Sequence, residues 1–186
     1  MPNIINHYCF LNAYLCPSKL SEIRPDDRRL VAATLGIEAI RQRLLGPCKY
    51  LSSSKDCPSE RVFVDFLEYA YDRSWPLDWR LHLYFIKYLH NINKCIKTKF
   101  LYELCSASAS QWTYWSKSPF NYLMVRHSEL NRVILASKAI KPNGFRKIVL
   151  TTSCRLIGKN MNSILYSERI ERSFESLMEK NFTLLE

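Results

Sequence analysis

The chain has 186 residues, a formal charge of +10, and is 47% hydrophobic and 13% aromatic. That length fits one domain or two small ones, and the apolar content excludes a globally disordered protein. No apolar run approaches the roughly 18–20 residues of a membrane span, so no membrane partner is expected.

Met1 to Leu15 lacks a basic leading region and is interrupted by Asn3, Asn6, His7 and Asn12. It reads as a first helix ending at Pro17, not as a signal peptide. Pro25-Asp26-Asp27 opens a helix from Arg28 to about Leu45. Leu30, Ala33, Ile37, Ile40 and Leu44 recur along it, and Gly46-Pro47 stops it. Cys48 to Cys57 reads as a loop. Pro58-Ser59-Glu60 starts the next helix, with Phe63, Phe66, Leu67 and Ala70 at helical spacing. Asp72 to Pro76 breaks it. Leu77 to about Ile92 and Lys94 to Leu104 read as two further helices. Ser106 to Ser110 looks like a linker.

The remainder reads as three helices: Pro119 to about Ile140, Phe145 to about Asn160, and Ser163 to about Phe182, with Pro142-Asn143-Gly144 as a turn. Leu123, Leu130, Val133 and Ile134 would share one stripe. Phe145, Ile148, Val149, Thr152 and Leu156, with Leu150 and Ile157 opposite, would make a helix apolar on two sides, as at a bundle centre or subunit interface. Glu168, Arg169, Glu171 and Arg172 suggest a solvent-facing surface. Glycine is scarce, with four residues, which argues against strands joined by tight turns. The expected fold is therefore all-α: two small helical bundles of about seven or eight helices. The N-terminal bundle would span residues 1–105, the linker 106–118, and a basic C-terminal bundle 119–186.

Seven cysteines, none in Cys-x-x-Cys spacing, read as reduced thiols of a cytosolic protein. His7 with Cys9, and His90 with Cys95, lack a second ligand pair, so no metal is expected. The glycines lie at Gly36, Gly46, Gly144 and Gly158, which makes no phosphate loop, and no carboxylate pair stands out. These observations point to no enzyme and no cofactor. A small thiol-dependent enzyme is a further reading, and it predicts one hyper-reactive cysteine.

The strongest signal is charge. Between Asn121 and Asn160 there are eight basic residues, Arg126, Arg132, Lys138, Lys141, Arg146, Lys147, Arg155 and Lys159, against the single acid Glu129. Carried on helices, such a field fits a nucleic-acid backbone, and these eight are the candidate RNA-binding residues. A solvated basic face is the bland alternative. Arg126 could equally pair with an acid inside the bundle, and Arg155 could snorkel. Trp75, Trp79, Trp112 and Trp115 lie in apolar context, which favours core or interface over base stacking.

The stretch Val125-Arg126-His127-Ser128-Glu129-Leu130, then Phe145-Arg146-Lys147-Ile148-Val149-Leu150 through Arg155-Leu156-Ile157, resembles the C-terminal part of the closterovirus suppressors of RNA silencing, whose type member comes from beet yellows virus. The resemblance implies an all-α, non-catalytic viral protein of the host cytoplasm. It would assemble as a homo-oligomer, in that family a ring, and sequester RNA, small-interfering-RNA duplexes in particular. The alternative is a helical adaptor binding a host or viral protein through a Trp-rich apolar surface. Salt separates the two, because phosphate binding weakens steeply with salt and an apolar interface barely responds.

Overall fold

A computed structural model describes residues 16–55, 57–116, 119–130, 132–141, 144–153, 164–169 and 183–185. The chain divides into two compact units, Met1–Pro76 and Leu77–Glu186. The expected first helix, Met1 to Leu15, lies outside the described residues.

The first unit is helical. Its elements are α1 (Pro17–Leu20), α2 (Arg28–Leu45), α3 (Lys49–Ser52) and α4 (Glu60–Asp72). Helix α2 starts because the Asp27 carboxylate accepts the Arg29 backbone N–H at 2.8 Å, satisfying one orphan donor of the first turn. It stops at Gly46, where an added Cβ would stand 2.6 Å from the Gln42 carbonyl oxygen. The loop expected at Cys48 to Cys57 contains the single turn α3. Ser59 caps α4 by accepting the Val62 N–H. Phe63, Phe66, Leu67 and Ala70 are buried at i, i+3, i+4 and i+7, so one stripe faces the core with Leu44, Cys48 and Leu51.

Helix α4 ends on a left-handed residue. Ser74 has φ 53°, and the next residue, Trp75, returns its N–H to the Ala70 carbonyl at 2.9 Å. A serine Cβ is strained there and glycine is not. Ser74→Gly should therefore stabilise the protein by about 0.5–1 kcal/mol, read as a higher denaturation midpoint. A lower midpoint would show that the serine side chain contributes more than its backbone strain costs.

The second unit is mixed, which overturns the all-α expectation. Helices α5 (Leu81–Asn91) and α6 (Thr98–Trp115) precede five strands: β1 (Tyr122–His127), β2 (Arg132–Lys141), β3 (Gly144–Ser153), β4 (Ile164–Arg169) and β5 (Thr183–Leu184). They form one antiparallel sheet in the order β3-β2-β1-β4-β5. The protein thus has six helices and five strands among the described residues. The Ser/Ala stretch expected as a linker is the middle of α6.

The physical reason is burial on both faces. Leu123, Met124 and Val125 in β1, and Val133, Ile134, Leu135 and Ala136 in β2, are all buried. A strand covered on both sides reads as a continuous apolar run, and a run of that kind contains a helical subset by construction. The β-branched Val125, Val133 and Ile134, and the run Ile148, Val149, Thr151 and Thr152 in β3, favour the extended form. The expected two-sided helix from Phe145 is β3 as far as Ser153, and its remainder to Asn160 lies outside the described residues.

Helix α6 packs on α5 and against β1, β2 and β3. Alternate strand residues share a face. The face toward the helices carries Leu123, Val125 and His127 of β1, Ile134, Ala136 and Lys138 of β2, and Ile164, Tyr166 and Glu168 of β4. On the other face Met124, Val133 and Leu135 form a buried cluster.

Candidate functional site

The basic residues singled out by charge fall on strands, at both ends of β2. Arg126 is half-buried near the end of β1, with Val133 and Leu165 as register partners, and Arg132 is exposed at the start of β2. Lys138 and Lys141 lie toward the far end of β2. They pair in register with Lys147 and Gly144 of β3, and Arg146 pairs with Ala139. Six residues along a strand span about 20 Å, so Arg132 and Lys138 belong to different ends of the sheet. Arg155 and Lys159 lie outside the described residues. The expected corner between two basic helices is a β-hairpin, with Lys138, Lys141, Arg146 and Lys147 near its tip.

Lys138 is not free to meet a partner in the way its charge suggests. Its Nζ donates to the Ser116 carbonyl at 2.9 Å and stands 4.1 Å from the centroid of the Trp112 ring. Burial pushes its pKa down, and the Glu168 carboxylate pulls it partly back. Trp112 is fully buried, and its Nε1 donates to Glu168 Oε1 at 2.5 Å. The indole thus holds a carboxylate at its edge and an ammonium over its face, both favourable given the ring's charge distribution. Glu168, expected on a solvent-facing surface, points to the helices.

A second polar group lies on the same side of the sheet. The Asp78 carboxylate accepts Arg80 Nε at 3.1 Å and Nη2 at 2.7 Å, a forked pair that raises the arginine pKa further. The guanidinium stands 5.8 Å from the Trp79 ring centroid and 5.9 Å from that of Tyr84. Trp79 meets Tyr166 edge-on, with centroids 5.6 Å apart. Burial raises the Tyr84 hydroxyl pKa. Both Trp79 and Trp112 are therefore core residues. The Trp-rich docking surface is not formed by these two, and the side chain of Trp115 is outside the described set.

The third is a histidine pair. His90 Nε2 and His127 Nε2 are 3.0 Å apart, with ring centroids 5.2 Å apart and planes 22° from parallel. The rings therefore meet head to head through their nitrogens. His127 Nδ1 accepts the Glu129 backbone N–H at 3.1 Å. Among the described residues, no group of three or more His, Cys, Asp or Glu is placed to hold a metal ion, and no helix is long and apolar enough to cross a membrane. Cys16, Cys48, Cys57, Cys95 and Cys105 are in no disulfide, and of these Cys95 is exposed. Sequence reasoning missed Glu168, Tyr166 and His127 as partners of the helices, because their contacts join positions 37 or more residues apart.

What remains available at the sheet is its backbone. β3 is a terminal strand ten residues long, paired with β2 along its whole length. The other terminal strand, β5, has two residues. A long edge strand of this kind is a template for another extended chain.

These features define a helix-and-antiparallel-sheet protein with a satisfied polar layer between helices and sheet and a long basic edge strand. The family model described as methanobactin biosynthesis cassette protein MbnC-like matches residues 24–176. The chain belongs to this family. A comparison with curated proteins finds no match. Family membership overturns the resemblance to closterovirus silencing suppressors, which rested on a short match. With it fall RNA sequestration, the host- or viral-protein adaptor alternative, and the placement of a viral protein in a host cytoplasm. The matched His-Ser-Glu-Leu stretch is the β1–β2 turn, closed by the Leu130 N–H on the His127 carbonyl at 3.0 Å.

Proposed function

We propose that the chain serves methanobactin biosynthesis as a non-catalytic recognition component that holds an extended segment of another cassette polypeptide along β3. The observation that carries the reading is the ten-residue terminal strand. On the side away from β2, its N–H and C=O groups have no strand partner among the described residues. An added strand would satisfy them one after another. Arg146 and Lys147 disfavour pairing of two identical basic edges and favour an acidic segment.

The non-catalytic part rests on how the polar side chains are used. Trp112 donates to Glu168 and lies under the ammonium of Lys138, which donates to the Ser116 carbonyl, while Asp78 is bonded to Arg80 and His90 to His127. Groups committed in this way position the layers of the fold. The chemistry then belongs to another product of the cassette.

The test mixes the full chain with each purified product of its cassette and follows amide exchange. Binding should protect amides within residues 144–153. Arg146→Glu with Lys147→Glu should weaken that binding about tenfold, as expected for reversing two charges on the edge strand, and reduce its salt dependence. Protection confined to other segments, or binding indifferent to the double substitution, would overturn the edge-strand reading.

A further inference from the structure

We propose that His90 and His127 form a proton-operated latch that fastens the end of α5 to the turn between β1 and β2. The bonding pattern dictates how it works. His127 Nδ1 accepts the Glu129 N–H, so at neutral charge the proton of that ring sits on Nε2. His127 Nε2 then donates to His90 Nε2, which leaves the His90 proton on Nδ1. One imidazole thus makes two bonds. The first closes the turn locally, in the manner of an Asx-turn. The second reaches a helix 37 positions away in sequence.

Adding a proton breaks this arrangement from either end. A proton on His127 Nδ1 points at the Glu129 N–H, donor against donor. A proton on His90 Nε2 points at the His127 Nε2–H, again donor against donor. Each would cost a buried hydrogen bond, since His127 has no exposed surface. The charged group acting on the pair is Glu129, from the turn, and it favours the charged form of His90. From β4 the residue in register with His127 is the apolar Ile164. On α5 itself, Lys87 is directed to the Leu185 carbonyl at 3.0 Å. One carboxylate does not compensate two facing imidazolium rings, one fully buried and the other half-buried.

The titration follows from the geometry. Burial, then the neighbouring His90 charge, pushes His127 down to about 4. Burial likewise lowers His90, with Glu129 opposing. A histidine whose folded pKa lies below its unfolded value of about 6.5 stabilises the fold fully above that value. The contribution is lost as pH falls through the folded pKa. The latch is therefore closed at neutral pH and opens between about pH 6.5 and pH 4.

Two measurements on the full chain decide the matter. Nitrogen-15 NMR of the imidazoles should find His127 as the Nε2–H tautomer at pH 7. The protection factors of the Glu129 and Leu130 amides should fall about tenfold between pH 7 and pH 4. His127→Asn is the informative variant. Its Oδ1 accepts the N–H two residues on without titrating, so Glu129 protection should become independent of pH. An Nδ1–H tautomer in the native chain, or Glu129 protection that does not change with pH, would overturn the latch on its own. So would an equal loss of protection in a folded His127→Asn variant.

Discussion

Trp112→Ala should destabilise the unit of residues 77–186 by about 4 kcal/mol, within the range for emptying a buried tryptophan site. The indole is fully buried and ties three elements together. It sits on α6, bonds Glu168 of β4, and lies under the ammonium of Lys138 on β2. Alanine leaves a cavity, a carboxylate without its donor, and a half-buried lysine over empty space. Since domains are commonly stable by about 5–15 kcal/mol, the variant should be marginal. Trp112→Phe separates the parts. It retains a ring beneath Lys138 and removes only the N–H, which should cost about 1.5–3 kcal/mol as a bond to a charged acceptor. Denaturant titration followed by circular dichroism reads both. A loss below about 1 kcal/mol for the alanine variant would mean that the site collapses around the gap.

Ile134→Asp should abolish folding of the same unit. Ile134 has no exposed surface and lies between Val125 and Thr151 in the middle of the sheet. A carboxylate there has no described cation in register with it, and burying it unpaired costs several kcal/mol. The informative comparison is along β2. Val133, Ile134, Leu135 and Ala136 are consecutive and all buried, so aspartate should be rejected at each of the four. Arg132, next in sequence and exposed, should accept aspartate within about 0.5 kcal/mol. Expression and the circular dichroism of the series check this. Tolerance at alternate positions would show that one face of β2 is wet.

Helices α2 and α4 were legible because their signals are local. Asp27 and Ser59 cap them, Gly46 ends one, and apolar residues recur at a single period. The strands were illegible because the information that defines them is not local. Scarce glycine argues against tight turns, yet the β1–β2 turn is built by the His127 ring accepting the Glu129 N–H, which needs no glycine. The basic segment was correctly seen as a concentration of charge. Its meaning depends on register, and register sets Lys138 against Trp112 and places Arg146 and Lys147 on an edge strand. Glu168 shows the same limit. Its neighbours Arg169, Glu171 and Arg172 suggest a solvated face, while period two along β4 turns it to the helices.

The strand order also has a kinetic meaning. β1 meets β2 across a short turn, and β3 begins three positions after the end of β2, so these three can zip together from near neighbours. The far side of β1 is filled by β4, whose Arg169 pairs with Tyr122 only after the chain between them has been looped out. Closing that loop costs entropy before any contact rewards it, which makes β4 docking the slow event in assembly. Tyr166 and Glu168 arrive on that strand. A chain caught just before this step would hold a formed hairpin with Trp79 and Trp112 still awaiting their partners, so tryptophan fluorescence should report the last phase of folding.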